Sequence, residues 1–160
     1  MAKLAAICSV SADDVENLLD DAFGRDRQQR TAYLLRADMP VIGHLSFAVI
    51  DDGAVVGSIQ CWQASIAGAP LILVGPVAVS SQRQNQGIGR LLMHATLHAA
   101  LSADPPMVMI GDPEYYGRFG FVADETGGWT LPGPWEAHRL LLRNPDATPL
   151  PKMGLLGPRL

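Results

Sequence analysis

Apolar positions in this chain recur first at helical spacing, then in strand-like runs, and then at helical spacing again. Ser11-Ala12-Asp13-Asp14 has the form of a capped helix start, and Val15, Leu18, Leu19 and Ala22 follow every three or four residues until Gly24. This predicts a first helix over 12–23. The polar stretch Arg25 to Arg30 runs into Tyr33, Leu34 and Leu35, which predicts a second, more exposed helix ending near Asp38-Met39-Pro40, its charges a solvated face. Leu45 to Ile50 and Ala54 to Trp62 are strand-like, and Asp51-Asp52-Gly53 between them suits a tight antiparallel hairpin. Leu71 to Val79 predicts another strand, interrupted by Gly75-Pro76, which together do not fit an undistorted central strand and so predict a bulge or splay.

Ser80 to Gln86 is a polar loop, and from Gly87 to Leu101 a long helix is predicted with Leu91, Leu92, Ala95 and Ala99 on one face, stopped by Asp104-Pro105-Pro106. Met107-Val108-Met109-Ile110 is wholly apolar, as suits a buried strand after a crossover helix, and the strand–helix–strand order implies a parallel pair. One short helix is expected within Pro113 to Phe119, with strands at Phe121-Val122, Trp129 to Leu131 and Ala137 to Arg143. Asn144 to Leu160, with Pro145, Pro149, Pro151 and Pro158, reads as an extended tail. The sum is a mixed α/β domain: an antiparallel hairpin, a βαβ unit, then further strands. Residues 1–144 are expected to form one domain and 145–160 a Pro-rich extension.

Composition narrows the classes of function. Of 160 residues, 48% are hydrophobic and 18% charged, a globular balance. No run approaches the roughly 20 apolar residues of a membrane span, and the N-terminus lacks signal-peptide architecture. The expected setting is cytoplasmic, with no membrane partner. A formal charge of −4 argues against a nucleic-acid partner, which would usually call for a concentrated basic patch. Cys8 and Cys61 are too few for a disulfide scaffold and read as reduced core thiols. His94 and His98 stand four apart on the predicted helix, but His94-Ala95-Thr96-Leu97-His98 lacks the Glu of a zinc-protease motif and shows no third ligand, so no metal is expected.

The chemistry concentrates where the strand Val77-Ala78-Val79 feeds a helix through Ser80-Ser81-Gln82-Arg83-Gln84-Asn85-Gln86-Gly87-Ile88-Gly89-Arg90. A helix N-terminus presents unpaired N–H groups and about half a positive charge, and glycines let an anion approach the backbone. Gly87 and Gly89 therefore suit phosphate binding, with Arg90 adding a charge. A Rossmann fingerprint would need a third glycine where Leu92 stands, and a P-loop would need Lys-Ser/Thr where Arg90-Leu91 stands.

Here the sequence resembles the GCN5-related N-acetyltransferase (GNAT) superfamily, whose motif Gln/Arg-x-x-Gly-x-Gly/Ala matches Gln84-Asn85-Gln86-Gly87-Ile88-Gly89. The resemblance extends to the preceding strand, the following helix, the buried strand Met107–Ile110 and a Tyr-x-x-x-Gly-Phe element, Tyr116-Gly117-Arg118-Phe119-Gly120-Phe121, and so spans about residues 40–125. It implies a central mixed, mostly antiparallel sheet with a splayed parallel pair and flanking helices. It also implies acetyl-CoA as co-substrate without a metal, and transfer of acetyl to a primary amine on a small molecule or peptide by direct attack. Val77, Ala78 and Val79 would bond the pantetheine arm through their backbone, one of their N–H groups polarising the thioester, and the loop from Gln84 to Arg90 would hold the pyrophosphate. Tyr116 matches the family's tyrosine and would protonate the leaving thiolate.

The sequence departs from the commoner family pattern at Gly111-Asp112-Pro113, where many members have Asn. His44, His138, Glu114 and Glu136 are available titrating groups, but their spacing singles out no base. Trp62, Trp129 and Trp135 read as core or as an acceptor pocket, and Arg118 as a phosphate contact or as surface. A non-catalytic acyl-CoA-binding sensor with the same cradle is the alternative function, and exposed strands near the C-terminus leave a homodimer open. The acceptor is not legible.

Overall fold

The computed structural model describes residues Met1 to Arg159; Leu160, the last residue of the expected Pro-rich extension, lies outside the described residues. The chain forms two compact units: Met1–Arg27, Val41–Cys61 and Pro76–Ser102 in the first, Gln28–Pro40, Trp62–Gly75 and the C-terminal segment from Ala103 in the second. Two long strands, β3 (Ala54–Ile66) and β4 (Ala69–Val79), run on from one unit into the other.

In the first unit β1 (Lys3–Ala6) pairs antiparallel with β2 (Phe47–Asp51), and β2 with β3. The β2–β3 turn places Asp52 at φ 51° and Gly53 at φ 78°, the double left-handed conformation that the Asp-Gly dipeptide predicts. Helix α1 (Ala12–Phe23) matches its expected span and ends at Gly24, φ 88°. Its Val15, Leu18 and Leu19 pack with Ile7, Ala48 and Ala78 as one core cluster. Helix α3 (Ile88–Ala99) buries Ile88, Leu92, Met93 and Thr96, and the Thr96 hydroxyl donates to Leu45 O at 2.8 Å.

The expected second helix is broken into a 3-10 turn, Arg25–Gln29, and a single turn, α2 (Thr31–Leu34), because Arg30 between them is extended. Nor is this stretch a uniformly solvated face. Arg27 is buried and bridges to Glu16 and Asp20 of α1, so a charge that looks like surface in the sequence ties the turn to the helix before it. Cys61 is buried as expected, whereas Cys8 is exposed.

In the second unit β4 pairs parallel with β5 (Met107–Ile110), and β5 pairs antiparallel with β7 (Leu140–Arg143). The turn joining β3 to β4 sets Ala67 at φ 45° and Gly68 at φ 86°. A core of Ala64, Ile66, Leu71, Leu73, Val108, Leu140 and Leu142 lies on these strands. The fold class is thus a mixed α/β one, a mostly antiparallel sheet that contains the parallel pair β4–β5, with flanking helices.

Part of the expected tail adds a strand. β8 (Gly154–Pro158) pairs with β3 at Ala64–Ile66 and with β6 (Trp129–Thr130), and it buries Leu156 completely. The prolines around it mask this strand in the sequence, but Pro158 falls at its end, where a missing N–H disturbs the ladder least. Among the described residues no helix is long and apolar enough to cross a membrane.

Gly57 sets how closely α3 approaches β3. A Cβ there would lie 2.6 Å from Ile88 Cγ2 and 3.1 Å from Leu92 Cδ1. Ile88 is β-branched and buried, with little freedom to move aside. Gly57→Ala is therefore expected to destabilise by about 1–3 kcal/mol, as overpacking does, seen as a lower denaturant midpoint at unchanged slope. An unchanged midpoint would contradict this packing.

Candidate functional site

Helix α3 begins on backbone that favours small residues. Asn85 lies at φ 62° and Gly87, the residue capping the helix, at φ 81°, in the left-handed region open chiefly to Gly and Asn. No side chain caps the helix and its first turn holds no acidic residue. Leu91 N, bonded to Gly87 O at 3.0 Å, is the first amide taken up within the helix. The amides ahead of it lie at the positive end of the helix dipole. A Cβ built on Gly87 meets nothing within 4 Å, so this end is open to approach. Ile88 points into the core, Gly89 is partly buried, and Gln84, Asn85, Gln86, Gly87 and Arg90 are exposed.

Side chains from distant segments hold the loop in this shape. Asp21, near the C-terminal end of α1, accepts from both Ser81 N and Ser81 Oγ at 3.0 Å. Asp51, at the end of β2, accepts from Arg83 Nη2 at 2.6 Å, while Arg83 Nε donates to Gln86 Oε1 at 2.9 Å. Gln84 Nε2 donates to Val79 O at 2.8 Å. Gln84 and Gln86 thus use their side chains to shape the loop, and what faces outward is backbone. Asp51 also meets the Met1 ammonium at 2.9 Å. Hydrogen bonds from that ammonium and from Arg83 hold the Asp51 carboxyl below its ordinary pKa of 3.8. Local sequence gives no signal for Asp21, Asp51 or Arg83 in this role, because the contacts join residues 60 and 32 positions apart.

Of the strand segment before the loop, Ala78 is buried while Val77 and Val79 are partly so. The distortion predicted at Gly75-Pro76 is present: Gly75 takes φ 135°, and the β4–β5 ladder registers Ile72–Met107 and Leu73–Val108 and then stops. β5 meanwhile continues its pairing with β7 as far as Ile110–Leu140. The Trp62 indole Nε1 donates to Gly75 O at 2.7 Å, giving a side-chain partner to a carbonyl at the point of splay.

Tyr116 lies in the second unit, at the end of α4 (Pro113–Tyr116). Its ring rests against Gly111, where an added Cβ would fall 2.7 Å from Cδ2 and Cε2, so only glycine allows this placement. Tyr115 packs edge-on against it, with centroids 4.9 Å apart. Burial above all, with the neighbouring Tyr115 and Asp112 adding to it and Arg139 opposing, pushes the Tyr116 hydroxyl from 10.0 up to about 12. The group keeps its proton across the physiological range.

Asp112, where the motif departs from its common form, caps α4 by accepting from Glu114 N at 3.0 Å. Arg118 donates to Tyr115 O at 3.0 Å and lies over the Tyr115 ring, a local structural role. Trp129 is buried core, Trp135 is exposed, and Trp62 is partly buried. Among the described residues no group of His, Cys, Asp and Glu is placed to hold a metal ion.

A model of the acetyltransferase (GNAT) domain matches residues 43–123, and the chain belongs to that family. YhbS of Escherichia coli (strain K12), an uncharacterised N-acetyltransferase, is 30% identical over 118 residues, 70% of this chain and 68% of that protein. The crystal structure of E. coli YhbS in complex with CoA has a TM-score of 0.78 at 22% identity, over 99% of this chain and 89% of that one. A GNAT family acetyltransferase from Brucella melitensis in complex with acetyl-CoA has a TM-score of 0.63 at 21% identity, over 99% and 96%. These two structures share the fold.

The depressed Asp51 carboxyl gives a signed pH effect. Its contribution is complete above pH 3.8 and is lost as pH falls through the lower folded-state value. Asp51→Asn should therefore lower the denaturation midpoint by a constant amount between about pH 5 and pH 8, with the two proteins converging in acid. An offset that persists unchanged into acid would contradict the pairing.

Proposed function

We propose that this protein transfers an acetyl group from acetyl-CoA to a primary amine by direct attack, on a small-molecule or peptide acceptor in the cytoplasm. The observation that carries the reading is the uncapped N-terminus of α3, opened at Gly87 and fed directly by the β4 segment Val77–Val79. The CoA and acetyl-CoA complexes of the similar YhbS and Brucella proteins support it. On this reading residues 1–144 work as one acetyltransferase domain.

Bound acetyl-CoA supplies the acetyl group as a thioester; the chain binds, orients and polarises it. Backbone amides from Asn85 to Arg90 take the pyrophosphate, with Gln84 and Gln86 bracing the loop and Arg90 adding charge. Each charge-assisted hydrogen bond is worth about 1.5–3 kcal/mol, so a few convergent amides anchor the group without a metal. Backbone groups of Val77, Ala78 and Val79 align the arm, and one N–H polarises the thioester carbonyl.

As the amine forms its new C–N bond and the C–S bond breaks, the sulfur gains negative charge and Tyr116 donates toward it, while the proton that the new amide nitrogen sheds passes to water, from which the tyrosinate is restored. A phenol at about 12 is a weaker acid than an ordinary thiol of about 8.5, a gap of roughly 5 kcal/mol. Full proton transfer thus waits until the sulfur charge has built up in a dry site, and before that the hydroxyl acts as a hydrogen-bond donor. The acceptor amine must itself be neutral: at pH 7 this costs about 1.4 kcal/mol for an α-amine near pKa 8 and about 4.6 for a lysine-like amine. A proton-holding tyrosine packed on Gly111 favours this reading over a non-catalytic acyl-CoA sensor.

A thiol-release assay with acetyl-CoA and a panel of amines tests the proposal, and amine-dependent release is expected. Tyr116→Phe should lower kcat by about 10²- to 10⁴-fold, with acetyl-CoA affinity by calorimetry unchanged. Unchanged turnover from about pH 6 to pH 10, where the wild-type hydroxyl stays protonated, would remove Tyr116 from the chemistry.

A further inference from the structure

Two polar side chains of β3 lie buried on one face of the first unit. The Ser58 hydroxyl oxygen and Gln60 Oε1 have no hydrogen-bond partner among the described residues. Ser58 is 0% exposed and Gln60 9%, so Ser58 lies deeper and Gln60 is the group that a ligand reaches. Residues two apart on a strand share a face, and Ser58 stands opposite Ala48 of β2. Ala48 belongs to the cluster that α1 packs on, while Gly57, facing the other way, meets Ile88 and Leu92 of α3. The pair therefore lies on the α1 face of the sheet. Nor does the adjoining hydroxyl serve Gln60 Oε1: Ser46 Oγ accepts from Cys61 N at 2.9 Å and gives its proton to Ile42 O at 2.8 Å.

Burying a hydroxyl or an amide oxygen without a partner opposes folding, so the pair suits a ligand better than it suits the core. Its position says which ligand. β4 is the sheet neighbour of β3, joined to it by the two-residue turn Ala67-Gly68 and so antiparallel to it. Ser80 N donates to Val56 O at 2.8 Å. Counting forward along β3 and back along β4 from that bond brings Ser58 and Gln60 beside the start of Val77–Val79, the segment assigned above to the thioester. All of these residues belong to the first unit. An amine attacks a thioester carbon through its lone pair, so its N–H groups point elsewhere and need an acceptor. A carboxamide oxygen takes such an N–H and, being uncharged, does not favour the ammonium form as a carboxylate would.

We propose that Gln60 and Ser58 receive the amino group of the acceptor, Gln60 Oε1 accepting an N–H from the attacking nitrogen and the Ser58 hydroxyl lining the site behind it. The nitrogen is thereby held as the free amine with its lone pair turned toward Val77–Val79. The inference rests on the acetyltransferase reading and names the residues of this chain that bind its acceptor.

The test uses the amine that the wild type turns over fastest in the thiol-release panel. It measures kcat/KM for that amine, acetyl-CoA affinity by calorimetry and the urea denaturation midpoint, in the wild type, Q60M and S58A. Methionine matches the length of glutamine and adapts to its surroundings, but lacks the amide oxygen. Q60M should lower kcat/KM for the amine by about 10-fold, as the loss of one hydrogen bond does, with acetyl-CoA affinity retained. Its denaturation midpoint should stay level or rise, because an unpartnered polar atom has left the core. S58A should move both readouts the same way. An unchanged kcat/KM in Q60M overturns the proposal. So does a lowered midpoint with equal losses for amine and acetyl-CoA, which would make Gln60 a structural group. Should Q60M fail to fold, the wild type decides: adding the amine to the coenzyme A complex should shift the NMR signals of the Gln60 side-chain NH2, and unshifted signals overturn the proposal. Acetyl-CoA binding without thiol release from any amine overturns the acetyltransferase reading, and this inference with it.

Discussion

The N-terminal turn of α3 has to be held in place without a capping side chain, and the proposed cofactor site depends on how that is done. Its first amides receive nothing from their own helix or from a cap, so their direction is set by what grips the loop and the helix from outside. Gly57 lets Ile88 and Leu92 close onto β3. Asp21 fixes Ser81, Asp51 fixes Arg83, and Arg83 fixes Gln86. A loop ordered before its ligand arrives loses little entropy on binding, which is how a few neutral amides can hold a doubly charged group. The anchoring carboxylates meet Ser81 and Arg83, ahead of the helix, and the first turn itself carries no negative charge.

β4 serves the fold and the proposed chemistry at different points along its length. From Leu71 to Val74 it is buried core, and at Ile72 and Leu73 it pairs parallel with β5. At Gly75 the backbone enters a region that a side chain would disfavour, and the parallel ladder ends. The carbonyl at that point is satisfied by Trp62, which is itself stacked on Arg36. A splayed strand needs such side-chain partners because its backbone polar groups lose their ladder.

Elements whose signal is local were legible in the sequence. α1 has both its period and its terminal Gly24, the β2–β3 hairpin has Asp52-Gly53, and β5 is a continuous apolar run after a long helix. Elements that exist only through distant partners were not. β1 is four mostly exposed residues made a strand by β2, and β8 lies among prolines and is made a strand by β3 and β6. Arg27 reads as surface until Glu16 and Asp20 are brought to it. The glycine loop was likewise legible from Gln84 to Gly89, but its anchors were not, and the Gly111 contact that seats Tyr116 shows no periodicity to find. Arg36 and Tyr33 sit three apart in a short turn that looks unremarkable until Trp62 closes the stack.

Backbone amide hydrogen exchange, followed residue by residue with and without coenzyme A, tests the central claim most directly. The account predicts that coenzyme A slows exchange at Asn85 to Arg90, the amides that the α3 helix leaves unbonded, and at Val77 to Val79. Binding that protects some other surface while leaving 85–90 unchanged, or no binding at all, would contradict it.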